Sequence, residues 1–154
     1  MIDKQQLIEL IEHTLQHINL YSVSATNLLL GTCAVESRMG TYVKQVAGPA
    51  CGIMQMEPAT EKDIWDNFLE YRASLSGDIF NLTGVNTYKP VALWGNLHYQ
   101  IAMARVHYLR VPEKLPEYDD IDGLATYWKL HYNTSLGKGT ITKFKKCYLN
   151  YVIR

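Results

Sequence analysis

A mainly α, single-domain fold is the prediction, and three observations carry it. Apolar side chains recur at spacings of three and four in one stretch after another. The clearest change of character falls in residues 41–58, where glycine and proline separate two such stretches. With 154 residues, 47% of them hydrophobic and 19% charged, the chain suffices for one sizeable core and is too apolar for disorder.

Residues 3–18 set Leu7, Ile8, Ile11, Leu15 and Ile18 on one face, and Asp3 suits the N-cap, which predicts an amphipathic helix. A second helix is predicted from near Ser24 to just before Gly40, a suitable C-terminal cap. Gly48, Pro49, Gly52 and Pro58 then break any helix, so residues 41–58 are expected to form a loop or short hairpin. Thr60 with Asp63 three positions on looks like a capping-box variant, opening a helix with Ile64, Trp65, Phe68 and Leu69 on one side. Residues 74–89, punctuated by Gly77 and Gly84, read as a loop with a short turn of helix. Pro90 fits the first turn of a longer helix through Leu109, closed by Pro112. Asp119, Asp120 and Asp122 crowd the start of the next helix, where negative charge suits the dipole, and it runs to about Tyr132. Thr140 caps a last helix whose Phe144, Tyr148 and Tyr151 share a face. No internal repeat or low-complexity segment interrupts the series.

Fifteen basic and fifteen acidic side chains cancel, which argues against a general polyanion binder and sets nucleic acid aside as a partner. The balance is uneven: the first 122 residues hold nine basic and fifteen acidic groups, and the remainder holds six basic and no acidic ones. A solvated helix face explains that basic stretch; a docking surface for an anionic partner is the alternative. Apolar runs such as Val91–Trp94 and Ile101–Ala104 reach only four residues, far below the roughly 18–20 of a membrane span. Asp3, Lys4, Glu9 and Glu12 interrupt any signal-peptide core. Cys33, Cys51 and Cys147 are an odd count without close spacing and read as thiols of a protein folded in a reducing cytoplasm.

One residue is out of place in this pattern. Leu29, Thr32, Cys33 and Glu36 share a face of the second helix, and that face should meet the core. A carboxyl there is desolvated and sits at the negative end of the helix dipole, and both effects raise its pKa. Such a group can serve as a general acid near neutral pH. The bland alternative is that Glu36 turns to water or pairs with Arg38.

Glu36-Ser37-Arg38 is followed, after a loop, by Gly52-Ile53-Met54-Gln55 and then Pro58-Ala59-Thr60. A third block, Tyr132-Asn133-Thr134 with Gly137, comes later, and Tyr108-Leu109 ends the long helix. In these blocks the chain resembles the soluble lytic transglycosylase family of the lysozyme-like superfamily, over about residues 24–140. Thr134 stands where that family has alanine, the glycine after it comes late, and Arg105 stands where glycine is usual. The stretch around Trp128 to Thr140 is similar to lysozyme-like domains of phage virion or lysis proteins.

The resemblance implies a lysozyme-like fold and cleavage of the β-1,4 bond between N-acetylmuramic acid and N-acetylglucosamine in peptidoglycan glycan strands. Glu36 would protonate the bridging oxygen and then take a proton from the muramoyl C6 hydroxyl, closing a 1,6-anhydro ring. Tyr132 would hydrogen-bond or orient Glu36. Gln55 and Asn133 would hold substrate polar groups, with Gly52 and Met54 of the same motif in the binding site. Ser37 would either bond a glycan or only close the helix end. One carboxyl does both proton transfers, so the scheme needs no second carboxylate, no metal and no cofactor, unlike the two-carboxylate glycosidases.

Other readings accompany this one. Glu57 is a rival carboxylate that would favour a hydrolytic muramidase of the same fold, although its place before Pro58 suits an exposed helix entrance. His13 and His17 have the i, i+4 spacing of a zinc pair but lack a third ligand in sequence. Cys51 has no local signature for an orienting base. A catalytically idle lysozyme-like module in a virion or cell-envelope assembly is the non-enzymatic alternative. A wall-cleaving enzyme made in the cytoplasm without a signal peptide would reach the wall or periplasm in a virion, at lysis, or through a dedicated export assembly.

Overall fold

The computed structural model describes residues 1–154 and is mainly helical, with eight α-helices and no strand. Helix α1 (Lys4–His17) starts where Asp3 accepts a hydrogen bond from Gln6 N, and it buries Leu7, Ile11 and Leu15. Helix α2 (Val23–Ser37) is capped by Ser22, whose Oγ accepts from Ala25 N at 3.0 Å. It is apolar around most of its circumference and runs through the interior, as such a helix must. Its end differs from the expected Gly40 cap: Arg38 takes the left-handed conformation, with φ 51°.

Helix α3 (Pro58–Asn67) begins at Pro58, and Glu57, not Thr60, precedes its first turn. Proline's fixed φ supplies the start without a capping box. A 3₁₀ turn at Leu69–Tyr71 leads into α4 (Ala73–Thr83), where the sequence suggested mostly loop. Gly77 is accommodated inside α4 and Gly84 ends it in the left-handed region, so one glycine is tolerated and the other terminates. The long helix expected from Pro90 is two helices, α5 (Pro90–Gly95) and α6 (Leu97–Leu109). Asn96 separates them because its side chain caps α6, accepting from Tyr99 N at 3.0 Å. Helix α7 (Ile121–Trp128) widens into a π-helical turn over Lys129–Asn133, and α8 (Ile141–Tyr148) follows its predicted Thr140 cap.

One cluster of 35 buried apolar residues draws on all eight helices. Helix α2 packs against α1, α6, α7 and α8, and α6 packs against α1, α3, α4 and α5. The α2–α8 approach is close enough that a Cβ on Gly31 would fall 2.3 Å from the Phe144 ring. Between α2 and α3 the chain forms a small hairpin-like excursion, with isolated antiparallel bridges Lys44–Cys51 and Cys51–Met56. No helix is long and apolar enough to cross a membrane.

Candidate active site

Glu36 occupies the last turn of α2 and is half-buried. The Trp128 indole N–H, brought there by α7, donates to Glu36 Oε1 at 3.0 Å. Trp128 is fully buried and packs on Phe144 of α8, with ring centroids 5.4 Å apart. Burial pushes the Glu36 carboxyl up to about 7, against the smaller opposing pulls of the Trp128 donor and the Lys143 charge. Arg38 does not neutralise it by ion pairing. Its guanidinium lies 5.7 Å from the centroid of the Tyr42 ring, and no salt bridge to Glu36 forms. Near neutral pH both protonation states of Glu36 are therefore populated, the condition for giving and retaking one proton.

The π-helical turn after α7 brings Tyr132 to the same place, but with a different partner from the one expected. Its hydroxyl donates to Met54 O at 2.7 Å and makes no hydrogen bond to Glu36. The ring stacks on Tyr108 at 5.2 Å and meets the edge of His107 at 5.1 Å. Tyr108 in turn donates to Thr32 Oγ1 at 2.7 Å, because the Thr32 proton is committed to Leu28 O at 2.8 Å. Burial and the nearby Glu36 charge hold the Tyr132 phenol well above its usual range. Tyr132 thus stays neutral and fastens the hairpin to the helical body, while Trp128 takes the place beside the carboxyl.

Three of the expected substrate-binding residues face inward. Ser37 is fully buried; its Oγ donates to Cys33 O at 3.1 Å and accepts from Gly40 N at 2.9 Å, so it closes the helix end. Met54 is buried, and its carbonyl serves Tyr132. Gly52 approaches protein, not ligand: at φ +79°, a Cβ there would lie 2.1 Å from Leu93 O. Gln55 is half-buried and donates through Nε2 to Gly52 O at 2.8 Å, in a left-handed turn. Asn133 is half-buried too, and its Oδ1 accepts from Lys129 Nζ at 2.7 Å. Lys129 also donates to Thr134 O and Gly137 O at 2.8 and 3.0 Å, which fixes the loop after Asn133.

Sequence reading missed Trp128 as the partner of Glu36, because its spacing from Leu124 and Tyr132 is equally that of a core position. It also missed Glu61, a fully buried carboxyl on α3 that accepts from Tyr99 OH at 2.5 Å and Lys89 N at 2.7 Å. No local signal distinguishes it from a surface residue of a first helical turn. Glu57 is exposed at the entrance of α3. Of the basic residues in the last segment, Lys145 pairs with Asp122 at 2.5 Å, and Lys143 lies in the field of Glu36.

His98 joins the His13–His17 pair, 5.4 Å from His13 between ring centroids, yet no group of three His, Cys, Asp or Glu side chains is placed to hold a metal ion. A cavity of about 610 Å³ lies away from Glu36, between α3 and α4, and is lined by Trp65, Leu69, Ala73, Phe80 and their neighbours. No protein-family model, curated protein or solved structure matches the chain.

Proposed function

We propose that the protein cleaves peptidoglycan glycan strands as a lytic transglycosylase, on a lysozyme-like helical fold, with Glu36 as the single general acid and base. The observation that carries this reading is the state of Glu36: a half-buried carboxyl poised near neutrality, without an ion-pair partner, at the end of a core helix. In the first step the protonated carboxyl gives its proton to the bridging oxygen as the bond to the muramoyl C1 breaks. In the second, the carboxylate takes the proton of the C6 hydroxyl as that oxygen closes on C1. The Trp128 N–H supports the ionised state between the two transfers. Gln55 and Asn133, the two expected binding residues that are half-exposed, are available to the substrate's amide and hydroxyl groups.

The inward-facing Ser37, Gly52 and Met54 favour a second reading, an idle lysozyme-like module of a virion or envelope assembly. Incubating purified sacculi with the protein separates the two. Release of soluble muropeptides ending in the anhydro sugar is expected. Products heavier by one water would make the protein a muramidase, and intact sacculi would leave the idle module.

A further inference from the structure

Trp94 differs from the other two tryptophans. Trp65 and Trp128 are buried and donate their indole N–H groups to Tyr99 and Glu36, whereas Trp94, on α5, is 51% exposed. It is nevertheless held in place. The buried Gln100 side chain accepts from Ile53 N at 2.6 Å and donates to Trp94 O at 3.2 Å. One amide therefore ties the Trp94 backbone to the hairpin turn that carries Met54 and Gln55.

The hairpin reaches back toward the indole. Lys44, bridged to Cys51, sets its Nζ 5.6 Å from the Trp94 ring centroid. Two residues earlier Tyr42 is 39% exposed, with the Arg38 guanidinium at its ring, and Arg38 follows Glu36 by two positions. Two accessible aromatic rings, each with its own cation, thus lie along the hairpin between the Glu36 helix end and α5.

We propose that Trp94 with Lys44, continued by Tyr42 with Arg38, is a binding platform for a glycan segment that carries carboxylates. A pyranose lays its C–H face on the indole, and the sugar's carboxylate pairs with the Lys44 ammonium. The proposal rests on the peptidoglycan reading and extends it to sugars away from the bond that breaks. Trp94 supplies a large rigid apolar face at low entropic cost, on a backbone that Gln100 holds. The cations give direction, because each lies over an aromatic ring, 5.6 or 5.7 Å from its centroid, and still has donors to offer an anion. Single-stranded nucleic acid also stacks on aromatic rings beside cations. A net charge of zero provides no field to gather a polymer charged at every residue, whereas sparse carboxylates need only a local partner.

The test uses Glu36→Gln protein, so that bound glycan stays whole, and measures affinity by calorimetry. The probes are a muramic-acid-containing tetrasaccharide with free lactyl carboxylates, a neutral oligomer of N-acetylglucosamine, and a single-stranded oligonucleotide. Adding Trp94→Ala weakens the tetrasaccharide about tenfold. Lys44→Gln weakens it about two- to fivefold and leaves the neutral oligomer unchanged. Both positions are exposed, so an unchanged melting temperature verifies the fold. Unchanged tetrasaccharide affinity in Trp94→Ala, or tighter binding of the oligonucleotide, overturns the platform. The two readings fail separately. Glycan binding that depends on Trp94, with no cleavage by the wild-type protein, removes the enzyme and keeps the platform. Cleavage of long strands with the same KM in Trp94→Ala removes the platform and keeps the enzyme.

Discussion

Glu36 and Glu61 are the same side chain under two kinds of cover. Burial raises both above the ordinary carboxylate range, and each accepts a hydrogen bond from an aromatic side chain. Around Glu61 the cover is complete. Tyr99 and Lys89 N both donate to its Oε1, Trp65 backs Tyr99 with an indole N–H at 2.8 Å, and the buried Oε2 has no partner. Through those two bonds the carboxyl braces α3 against the start of α5 and against α6. Glu36 has one aromatic donor and a partly open side, with the Lys143 charge in reach. A raised carboxyl is common to both residues; access to a second molecule belongs to Glu36. A shifted pKa becomes chemistry only where the proton has somewhere to go.

Four experiments press on this contrast. The largest effect is expected from Glu36→Gln, which keeps shape and hydrogen bonding but removes the transferable proton. Turnover on sacculi should fall by about 10²–10⁴. Wild-type activity should itself decline as pH rises through about 7, because the first step needs the protonated acid. A near-normal rate in the variant would place the chemistry elsewhere.

Glu61→Ala should act on stability instead. Leaving Tyr99, Lys89 N and a cavity without their partner costs about 2–4 kcal/mol in denaturant unfolding. The rate per folded molecule should hold, and a loss of rate matching that of Glu36→Gln would erase the distinction between the two carboxyls.

Glu36→Gln has a second consequence, with a defined sign. The folded-state value is raised from 4.5 to about 7, so ionising Glu36 costs folding free energy above that window and nothing below it. The variant should therefore be more stable than wild type at pH 8, on the order of 1–3 kcal/mol. That advantage should shrink as pH falls from 7 and vanish below 4.5. A pH-independent difference would mean that Glu36 is not desolvated.

Trp128→Phe gives the smallest effect and sharpens the comparison most. It removes the donor to Oε1 while keeping an aromatic ring against Phe144, at a cost of about 1 kcal/mol. Without that donor the ionised form is less supported, so the alkaline limb of the activity profile should move to higher pH. A profile that stayed put would make Trp128 a packing residue only.

The legible parts of the fold were those written in local chemistry. Asp3 and Thr140 announce their helices because a capping side chain acts within three residues. Helix α4 was illegible because Gly77 and Gly84 look alike in sequence, although one lies in an open helical position and the other ends the helix. The break at Asn96 was hidden for a similar reason, since apolar periodicity continues across it. At the site, Glu36 was visible as a charge on an apolar face. The partners of Ser37, Gly52 and Tyr132 were not. Ser37 turns back on its own helix, Gly52 meets Leu93 and Gln100, and Tyr132 meets a carbonyl 78 positions away. Long-range partners of that kind are set by how helices pack, which a motif does not encode.

The separation between Glu36 and Trp128 has a meaning in time as well as in space. The two residues lie 92 positions apart, and the helix that closes against Gly31 comes later still. A ribosome delivers α2 long before α7 and α8 exist. Until they arrive, Glu36 has neither its indole donor nor its apolar shelter, and its carboxyl is an ordinary solvated acid. The nascent chain thus carries the residue but not the environment that raises its pKa. Under the proposed function, the general acid would form only as the final helices settle onto the first ones.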